Sequence, residues 1–531
     1  MLLSTSIRLT ALVAVALVSM TACTSQPASD QSSTSGSGKL TSVPGLNQAA
    51  LDVMNKPAYA NGEWAISVRD LDSGKQIVSL NANTFFEPGS VAKTYSIGAA
   101  WLKFGPKSTV ATPVKSTGSV VNGTLNGNLI LVGAGDLTMD GRTKADGTVD
   151  YTNLDHNDAN GVPGATLTTE DPLSGLNKLA TQVKAAGIHT VSGDIIVDDR
   201  LWDPAELDDQ PVTPIIINQN VIDLTTTPGT VGQNATAAMS PLVAPWTIDN
   251  RVKTVAAGET TAIRASSPDQ KTIVLTGTIA ADAGPTVNVF ALKDPATFAR
   301  TAYIEALQRA GVTVTADPTA TNPAAELPPS DDVGALPSVA KLTSLPLLQE
   351  ATYTMKISYN RGAQTLICRL AAANGSTDCS DGLADAGKLW KAAGLTTSHA
   401  VFIDGSGLPG NKITADNQVQ LQRIMAKRAD AAQWRSTMPI LGVDGSLANV
   451  QKDKPAATKV IGKTGTLASQ DGFNNRYYLP TKALGGYITT KSGRHFAFAI
   501  MANSSVFKDA AGIFAANEDV GKVAASIQQA Y

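Results

Sequence analysis

Three short motifs stand in a fixed order along this chain of 531 residues: Ser90-Val-Ala-Lys93, Ser358-Tyr-Asn360 and Lys463-Thr-Gly465. Each is common by chance. Together they supply a hydroxyl nucleophile, a lysine one helical turn away, a polar hydrogen-bonding pair and a cationic strand. These are the parts of a serine acyl-enzyme site that works without histidine. A fold that uses them must bring together stretches that are hundreds of residues apart.

The first motif predicts a nucleophile and its base. The turn sequence Glu87-Pro-Gly89 leads into helical spacing, which places Ser90 at a helix N-terminus, where backbone N–H groups favour developing negative charge. Lys93 is three residues further on and shares the same face of the helix. A lysine acts as a base only if burial or a neighbouring cation lowers its pKa, and Lys463 is the candidate cation.

Two other stretches repeat the motif letters and serve as internal controls. Ser338-Val-Ala-Lys341 comes shortly before Ser358, which leaves too little chain for a nucleophile helix and its packing elements, so we interpret it as coincidence. Lys491-Ser-Gly493 lies between two strand-like runs, as a hairpin turn would. By contrast, residues 463–467 predict a strand in which Gly465 lets a substrate backbone approach closely.

The second motif has two interpretations. Ser358 and Asn360 precede an amphipathic helical pattern, so Ser358 is either a functional hydroxyl or an ordinary helix N-cap. Its position between the other two motifs favours the functional interpretation. A histidine triad is not indicated, because none of the four histidines lies beside a nucleophile-elbow glycine pattern. No acidic pair stands out for glycosidase chemistry.

The N-terminus predicts export. Arg8 and the apolar run 9–17 precede Cys23, and the run is too short for a membrane span, so residues 1–22 are predicted to be a signal peptide. Small residues directly before Cys23 resemble a bacterial lipobox, which would make Cys23 the lipidated first residue; an ordinary signal peptide with an incidental cysteine is the alternative. Residues 23–39 predict a flexible tether.

The other two cysteines, Cys368 and Cys379, are predicted to form a disulfide, because the chain is expected to be exported. Two buried free thiols are the alternative. Metal ligation is not favoured, since no histidine lies near the pair. The net charge of −3 gives no basic field, so nucleic acid is not expected as a partner.

The middle of the chain differs in texture from its two ends. Short β-rich runs occupy residues 127–132, 191–197, 272–275 and 287–292, with amphipathic helices among and after them. The Asp/Asn/Gly-rich stretch 140–164 is interpreted as a solvated loop, because it lacks the regular ligand alternation of a calcium loop. The last part predicts helices, an antiparallel meander and a closing helix.

Further segments carry a family resemblance: Gly127-Asn-Leu-Ile-Leu-Val-Gly-Ala-Gly-Asp136, Gly193-Asp-Ile-Ile-Val-Asp198, Asp404-Gly-Ser-Gly-Leu408 and Gly442-Val-Asp-Gly-Ser-Leu447. With the three motifs, they make the chain resemble the D-alanyl-D-alanine carboxypeptidase/endopeptidase family of low-molecular-mass (class C) penicillin-binding proteins. Ser358 follows Ser90 by 268 positions, far more than in a serine β-lactamase, and this family carries inserted domains there.

The resemblance implies an α+β fold: a penicillin-binding, serine β-lactamase-like domain with an antiparallel sheet and flanking helices, split by a large β-rich inserted region. The predicted division is 40–113 for the first part of that domain, 114–342 for the insertion and 343–531 for the second part.

The resemblance also implies roles for the motif residues. Ser90 would attack the peptide carbonyl between two D-alanines, and Lys93 would take its proton. Ser358 would relay a proton to the leaving amine, and Asn360 would hold the substrate amide. Lys463 and Thr464 would bind the terminal carboxylate, and the backbone N–H groups of Thr466 and Ser90 would form the oxyanion hole. Two departures from the family pattern, Tyr359 and Gly89, bear on substrate range.

The expected function is therefore a serine-type D-alanyl-D-alanine carboxypeptidase/endopeptidase. It would act on peptidoglycan stem peptides at the cell envelope, anchored to a membrane surface by lipid, be acylated by β-lactam antibiotics and need no cofactor or metal. Two rivals remain: a β-lactamase-like hydrolase, which must deacylate rapidly, and a non-catalytic surface lipoprotein that binds the cell wall.

Overall fold

The computed structural model describes residues 39–531. The predicted signal peptide, the lipidation site at Cys23 and all but the last residue of the predicted tether lie outside these residues. No helix in the described range is both long enough and apolar enough to cross a membrane.

An antiparallel five-stranded sheet forms the centre of the region that carries the three motifs. Its strands lie in the spatial order Gln76–Leu80, Glu63–Asp70, His495–Phe507, Arg476–Thr489 and Val460–Asp471. Two strands from the start of the described chain therefore pair with three from its end. The residues between them leave this sheet and return to it, as the predicted split domain requires.

Successive side chains along a strand point to opposite faces of the sheet, and each face of this sheet is covered by its own apolar cluster. On the central strand, Ala497 and Ala499 face one apolar cluster, while Phe498 and Ile500 face another. Helices Lys93–Phe104 and Ala415–Ala426 pack on the first face, and helices Gln48–Met54 and Ala511–Ala530 pack on the second. The remaining helices of this region are Leu347–Lys356, Asn360–Ala372, Cys379–Ala392 and Ala431–Ser436. A small sheet joins Phe85–Phe86, Ala400–Val401 and Lys412–Thr414.

The middle region is β-rich, and its described strands pair only with one another. Its strands are Ala111–Ser116, Ser119–Val121, Thr124–Asn126, Leu129–Val132, Thr190–Val191, Ile195–Asp198, Ala205–Leu207, Gln210–Val212, Val221–Thr227, Thr236–Ser240, Thr247–Asn250, Lys253–Val255, Ala262–Ser266, Thr272–Ala280, Thr286–Ala291, Thr313–Val314 and Ser338–Thr343. Its helices are Ser174–Ala185, Pro295–Arg309 and Ser330–Ala335. A separate apolar cluster fills this region. The α+β class with a large β-rich region is confirmed.

The first and last strands of the middle region pair with each other. Ala111–Ser116 runs antiparallel to Ser338–Thr343, so the chain leaves the motif-bearing region and returns to it at neighbouring points. This sheet begins slightly before residue 114, the predicted start of the insertion. The division at 113 and 343 stays a prediction.

A disulfide joins Cys368, in the helix Asn360–Ala372, to Cys379, the first residue of the next helix, with an S–S distance of 2.02 Å and a sequence separation of 11. Replacing both cysteines by alanine should lower the midpoint of thermal unfolding by a few degrees. The cross-link restricts the unfolded chain, and a loop of this length is worth about 2–3 kcal/mol. Reductant should lower the midpoint of the unaltered protein and leave that of the variant unchanged. Equal midpoints for the two proteins would contradict the expectation.

Candidate active site

Ser90 lies in a single 3₁₀ turn, Gly89–Ala92, that continues directly into the helix Lys93–Phe104. The Lys93 side chain is fully buried, and its Nζ lies 2.6 Å from Ser90 Oγ. The same Nζ contacts Asn360 Oδ1 at 2.6 Å and the Ser406 carbonyl oxygen at 3.0 Å. The lysine therefore joins the turn that carries Ser90, the second motif and a loop to which none of the three motifs belongs.

Burial lowers the pKa of Lys93 to about 7, because a buried ammonium loses its hydration. The Asp158 and Asp404 carboxylates act in the opposite direction and raise it. The sequence left burial and the candidate cation Lys463 as possible causes of a lowered pKa, and in the structure the main cause is burial. Neighbouring cations do act on Lys463. Burial is the largest cause that holds the pKa of Lys463 well below its ordinary value, and the charges of Lys93 and Lys482 lower it further.

The second and third motifs meet at Ser358. Lys463 is fully buried, and its Nζ donates to Ser358 Oγ at 2.9 Å and to the Thr464 carbonyl oxygen at 2.9 Å. The following helix begins at Asn360, and its N-cap residue is Tyr359, without a side-chain cap. The N-cap alternative for Ser358 is therefore wrong. Ser358 has a φ of +63°, which costs a residue with a side chain about 1–2 kcal/mol. This strained backbone holds the hydroxyl on Lys463.

Two glycines allow the backbone to close around the turn that carries Ser90. A Cβ on Gly465 would lie 2.0 Å from the Pro88 carbonyl oxygen, and one on Gly407, whose φ is +100°, would lie 1.9 Å from the Gly89 carbonyl oxygen. The sequence pattern suggested that Gly465 admits a substrate backbone. In the structure, the closest neighbour of Gly465 is the carbonyl oxygen of Pro88, in the turn that carries Ser90, so the glycine sets the distance between Ser90 and the third motif.

The loop around Asp404 holds one of the acceptors of Lys93. Asp404 Oδ1 accepts hydrogen bonds from the backbone N–H of Ser406 at 2.6 Å and of Gly407 at 2.9 Å, and from Ser406 Oγ at 2.7 Å. Its Oδ2 accepts from Asn411. This carboxylate turns the Ser406 carbonyl towards Lys93. The sequence marked Asp404-Gly-Ser-Gly-Leu408 only as a family signature, because the pattern does not indicate which backbone atom is used.

The stretch 140–164 is only in part the solvated loop that its composition predicted: residues 144–147 are exposed, but Arg142, Asp155 and His156 are buried. Arg142 donates to both carboxylate oxygens of Asp155, at 2.8 and 2.9 Å, and these two side chains are 7% and 0% exposed. Arg142 also donates to His156 Nε2 at 2.9 Å. Since Nε2 accepts, the ring carries its proton on Nδ1, which donates to Asp223 Oδ1 at 2.6 Å. A buried cluster of charged groups therefore fixes this segment of the middle region.

The fixed segment reaches the catalytic motifs. Asn157 Nδ2 donates to the carbonyl oxygen of Ile357, the residue before Ser358, at 3.1 Å. Asn153 Oδ1 accepts from the Gly445 backbone N–H at 2.8 Å. Asp158, the residue after Asn157, carries one of the carboxylates that raise the pKa of Lys93. The middle region thus supplies part of the wall around the site, which no local motif indicated.

Replacing Asp155 by alanine should release this wall. Arg142 would stay buried without its main partner, and removing one member of a buried ion pair costs about 3–5 kcal/mol. We expect amide hydrogen exchange in residues 152–164 to accelerate by at least about tenfold, measured by mass spectrometry. Asp146→Ala is the matched control, because Asp146 is exposed in the same segment and bonds only locally to Thr148. Unchanged protection in Asp155→Ala would show that the cluster does not hold the segment.

The two stretches that repeat the motif letters, which we call the decoys, lie outside this cluster of side chains. Ser338 and Lys341 are exposed on the strand Ser338–Thr343, which belongs to a sheet of the middle region, so they share no helix face. Lys491-Ser-Gly493 forms the turn between the strands Arg476–Thr489 and His495–Phe507, as predicted. Within residues 39–531, no cluster of three His, Cys, Asp or Glu side chains is arranged to hold a metal ion.

A model of the D-Ala-D-Ala carboxypeptidase 3 (S13) family matches residues 46–518 of the chain. The chain belongs to this family. It is therefore a serine peptidase of the D-Ala-D-Ala carboxypeptidase class, as the resemblance predicted. The family match extends through the middle region as well as the motif-bearing region.

Individual relatives agree with this placement. The chain is 26% identical to a D-alanyl-D-alanine carboxypeptidase of Actinomadura sp. (strain R39), over 93% of this chain and 87% of that protein. It is 23% identical to the D-alanyl-D-alanine carboxypeptidase DacB of Haemophilus influenzae, over 82% of this chain and 84% of that protein. The solved structure of penicillin binding protein 4 (dacB) from Haemophilus influenzae has the same fold: TM-score 0.64 at 19% identity, with 89% of this chain and 98% of that chain covered.

Proposed function

We propose that this S13 carboxypeptidase cuts the terminal D-alanyl-D-alanine bond of peptidoglycan stem peptides, with Ser90 as the acylated nucleophile and Lys93 as its base. Ser358 delivers a proton to the leaving amine under the influence of Lys463, and Asn360 holds the substrate amide. Thr464 and Thr466, with Gly465 between them, form the strand that receives the terminal carboxylate.

One observation carries this proposal: the three contacts of Lys93 Nζ match those of a neutral amine. A neutral amine has two N–H donors and one lone pair. Two of its neighbours, Asn360 Oδ1 and the Ser406 carbonyl oxygen, can only accept. The third, Ser90 Oγ, carries a proton that the lone pair can take. When the amine is neutral, the form that burial favours, its two N–H groups donate to these two acceptors and its lone pair is directed at Ser90 Oγ.

The proposed reaction uses these groups in order. Ser90 Oγ bonds to the carbonyl carbon as its proton passes to Lys93 Nζ, and the resulting oxyanion is stabilised by the backbone N–H groups of Ser90 and Thr466. The C–N bond then breaks as the proton held by Lys93 passes through Ser358 to the amine nitrogen of the leaving D-alanine, which leaves Lys93 neutral again. Water attacks the acyl-enzyme carbonyl as its proton passes to Lys93. The bond between the acyl carbon and Oγ then breaks, and Lys93 returns that proton to Ser90 Oγ.

Benzylpenicillin tests this proposal because it would acylate the same hydroxyl. We expect mass spectrometry to find the adduct on the peptide that contains Ser90, and the enzyme to release D-alanine from a peptide ending in D-Ala-D-Ala. A long-lived adduct favours the peptidase, whereas rapid loss of the adduct with turnover of penicillin would favour the β-lactamase-like alternative. Folded protein that neither takes up penicillin nor releases D-alanine would support the binding-only alternative.

We further propose that the enzyme acts outside the cytoplasm, anchored through lipid on Cys23. The support is the apolar run before Cys23 and the Ser/Thr/Gly-rich residues after it, together with a cell-wall substrate. Fractionation of the producing cells tests this: the protein should partition with membranes, and Cys23→Ala should move it to the soluble fraction. Membrane association that is unchanged in Cys23→Ala would refute the anchor and leave the catalytic proposal untouched.

A further inference from the structure

A third lysine of the active site belongs to none of the three motifs. Lys482 lies on the strand Arg476–Thr489, directly opposite Thr466 in the antiparallel register. Its side chain is 4% exposed, and its Nζ donates to Thr466 Oγ1 at 2.6 Å. Thr466 is the residue that follows the third motif. The Lys482 side chain therefore contacts, through the Thr466 hydroxyl, the strand proposed to receive the substrate.

Lys482 has no counter-charge in the described part of the chain. Four lysines are buried in residues 39–531, and Lys356 is ion-paired with Asp444 at 2.7 Å. The other three, Lys93, Lys463 and Lys482, are at the active site, and none forms an ion pair with a described carboxylate. For Lys482, burial alone lowers the pKa, to about 7. A buried cation with a single neutral acceptor is costly unless an anion joins it.

The neighbouring groups form a receptor for such an anion. Thr464 and Thr466 are two residues apart on one strand, so their side chains are on the same face. Thr464 Oγ1 shares a hydrogen bond of 2.6 Å with Ser446 Oγ. Two threonine hydroxyls and one ammonium thus line one face of the strand beside Lys463. Hydroxyl and ammonium donors in this arrangement suit a carboxylate, and a charged hydrogen bond is stronger than a neutral one.

We infer that Lys482 is a specificity-determining residue that supplies positive charge to the C-terminal carboxylate of the substrate, together with Thr466. The inference rests on the proposed function, in which the strand with Thr464 and Thr466 receives the terminal carboxylate, and it adds Lys482 as a source of positive charge for that group. A substrate whose C-terminal carboxylate is replaced by an amide or an ester offers no negative charge to Lys482 and therefore reacts poorly. Lys463 donates to Ser358 Oγ, so its role in this proposal is in proton transfer through Ser358.

The test compares one acylating agent with and without its carboxylate. Second-order rate constants of acylation are measured for benzylpenicillin and for its methyl ester, with the unaltered enzyme and with Lys482→Met. Loss of a charged hydrogen bond predicts a roughly 10- to 100-fold decrease with benzylpenicillin, and a change of less than about threefold with the ester. Lys482→Arg should recover most of the benzylpenicillin rate. Lys491→Met, an exposed lysine in a turn, should change neither rate.

Each other result has a clear meaning. Equal losses with the acid and the ester, or no loss with either, would overturn the role assigned to Lys482. The ester reaction also reports that the variant is folded. If Lys482→Met does not accumulate as folded protein, Lys482→Gln, which also removes the charge, gives the same comparison. An unaltered enzyme that reacts with neither compound would instead refute the proposed function itself.

Discussion

Replacing Ser90 by alanine should abolish acylation by benzylpenicillin and reduce D-alanine release by at least about a thousandfold, because removing the nucleophile leaves only binding and the oxyanion hole. Ser338→Ala, in the sequence that repeats the same four letters, should leave both activities unchanged. Ser338→Ala is the matched control, since each variant removes one hydroxyl oxygen from a Ser-Val-Ala-Lys sequence.

Mass spectrometry of the penicillin-treated proteins measures this outcome. The adduct should be present on the Ser90 peptide of Ser338→Ala and absent from Ser90→Ala. Thermal unfolding of both variants should match that of the unaltered protein, since Ser90 contributes no buried apolar surface. An adduct that persists in Ser90→Ala would mean that another group is the nucleophile, and the site would have to be reassigned.

Replacing Lys93 by methionine should lower the acylation rate by about 10²- to 10⁴-fold, the range that a general base contributes. Methionine keeps the length and the burial of the side chain and removes the basic nitrogen. Lys341→Met, the exposed lysine of the decoy, is the matched control and should react at the normal rate.

The same lysine predicts how activity depends on pH. Burial lowers the pKa of Lys93 to about 7. The neutral amine is the base, so the acylation rate should fall about tenfold per unit below about pH 7. Stopped-flow acylation between about pH 5 and pH 9 measures this profile. A rate that is flat from about pH 5.5 to pH 8 would contradict the assignment of Lys93 as the base.

Much of this site was predictable because its residues carry local signals. The motif Ser90-Val-Ala-Lys93 places two functional groups on one face of a helix, and the turn before it fixes where that helix starts. The decoy at Ser338 was separable for the same reason, since the chain after it is too short for the required elements. The long separation between Ser90 and Ser358 indicated the inserted region together with the family resemblance, since that family carries inserted domains at this place.

The features that the sequence misjudged or left open share one property: they depend on what lies nearby in space. Composition made residues 140–164 a solvated loop, yet Asp155 and His156 are buried because Arg142 and Asp223 pair with them. For the pKa of Lys93 the sequence left two causes open, burial and a neighbouring cation, and only the folded structure shows that burial is the main one. The approach of Gly465 to Pro88 was not visible in either local sequence.

The sequence by itself determined the reaction type and the family, because a hydroxyl and a lysine three residues apart, a second hydroxyl and a lysine-bearing strand are encoded in local order. Only the tertiary structure decided the charge state of the lysines and the part played by Lys482. Desolvation and pairing depend on which groups surround an ammonium, and those groups come from strands, loops and an inserted region that meet only when the chain is folded.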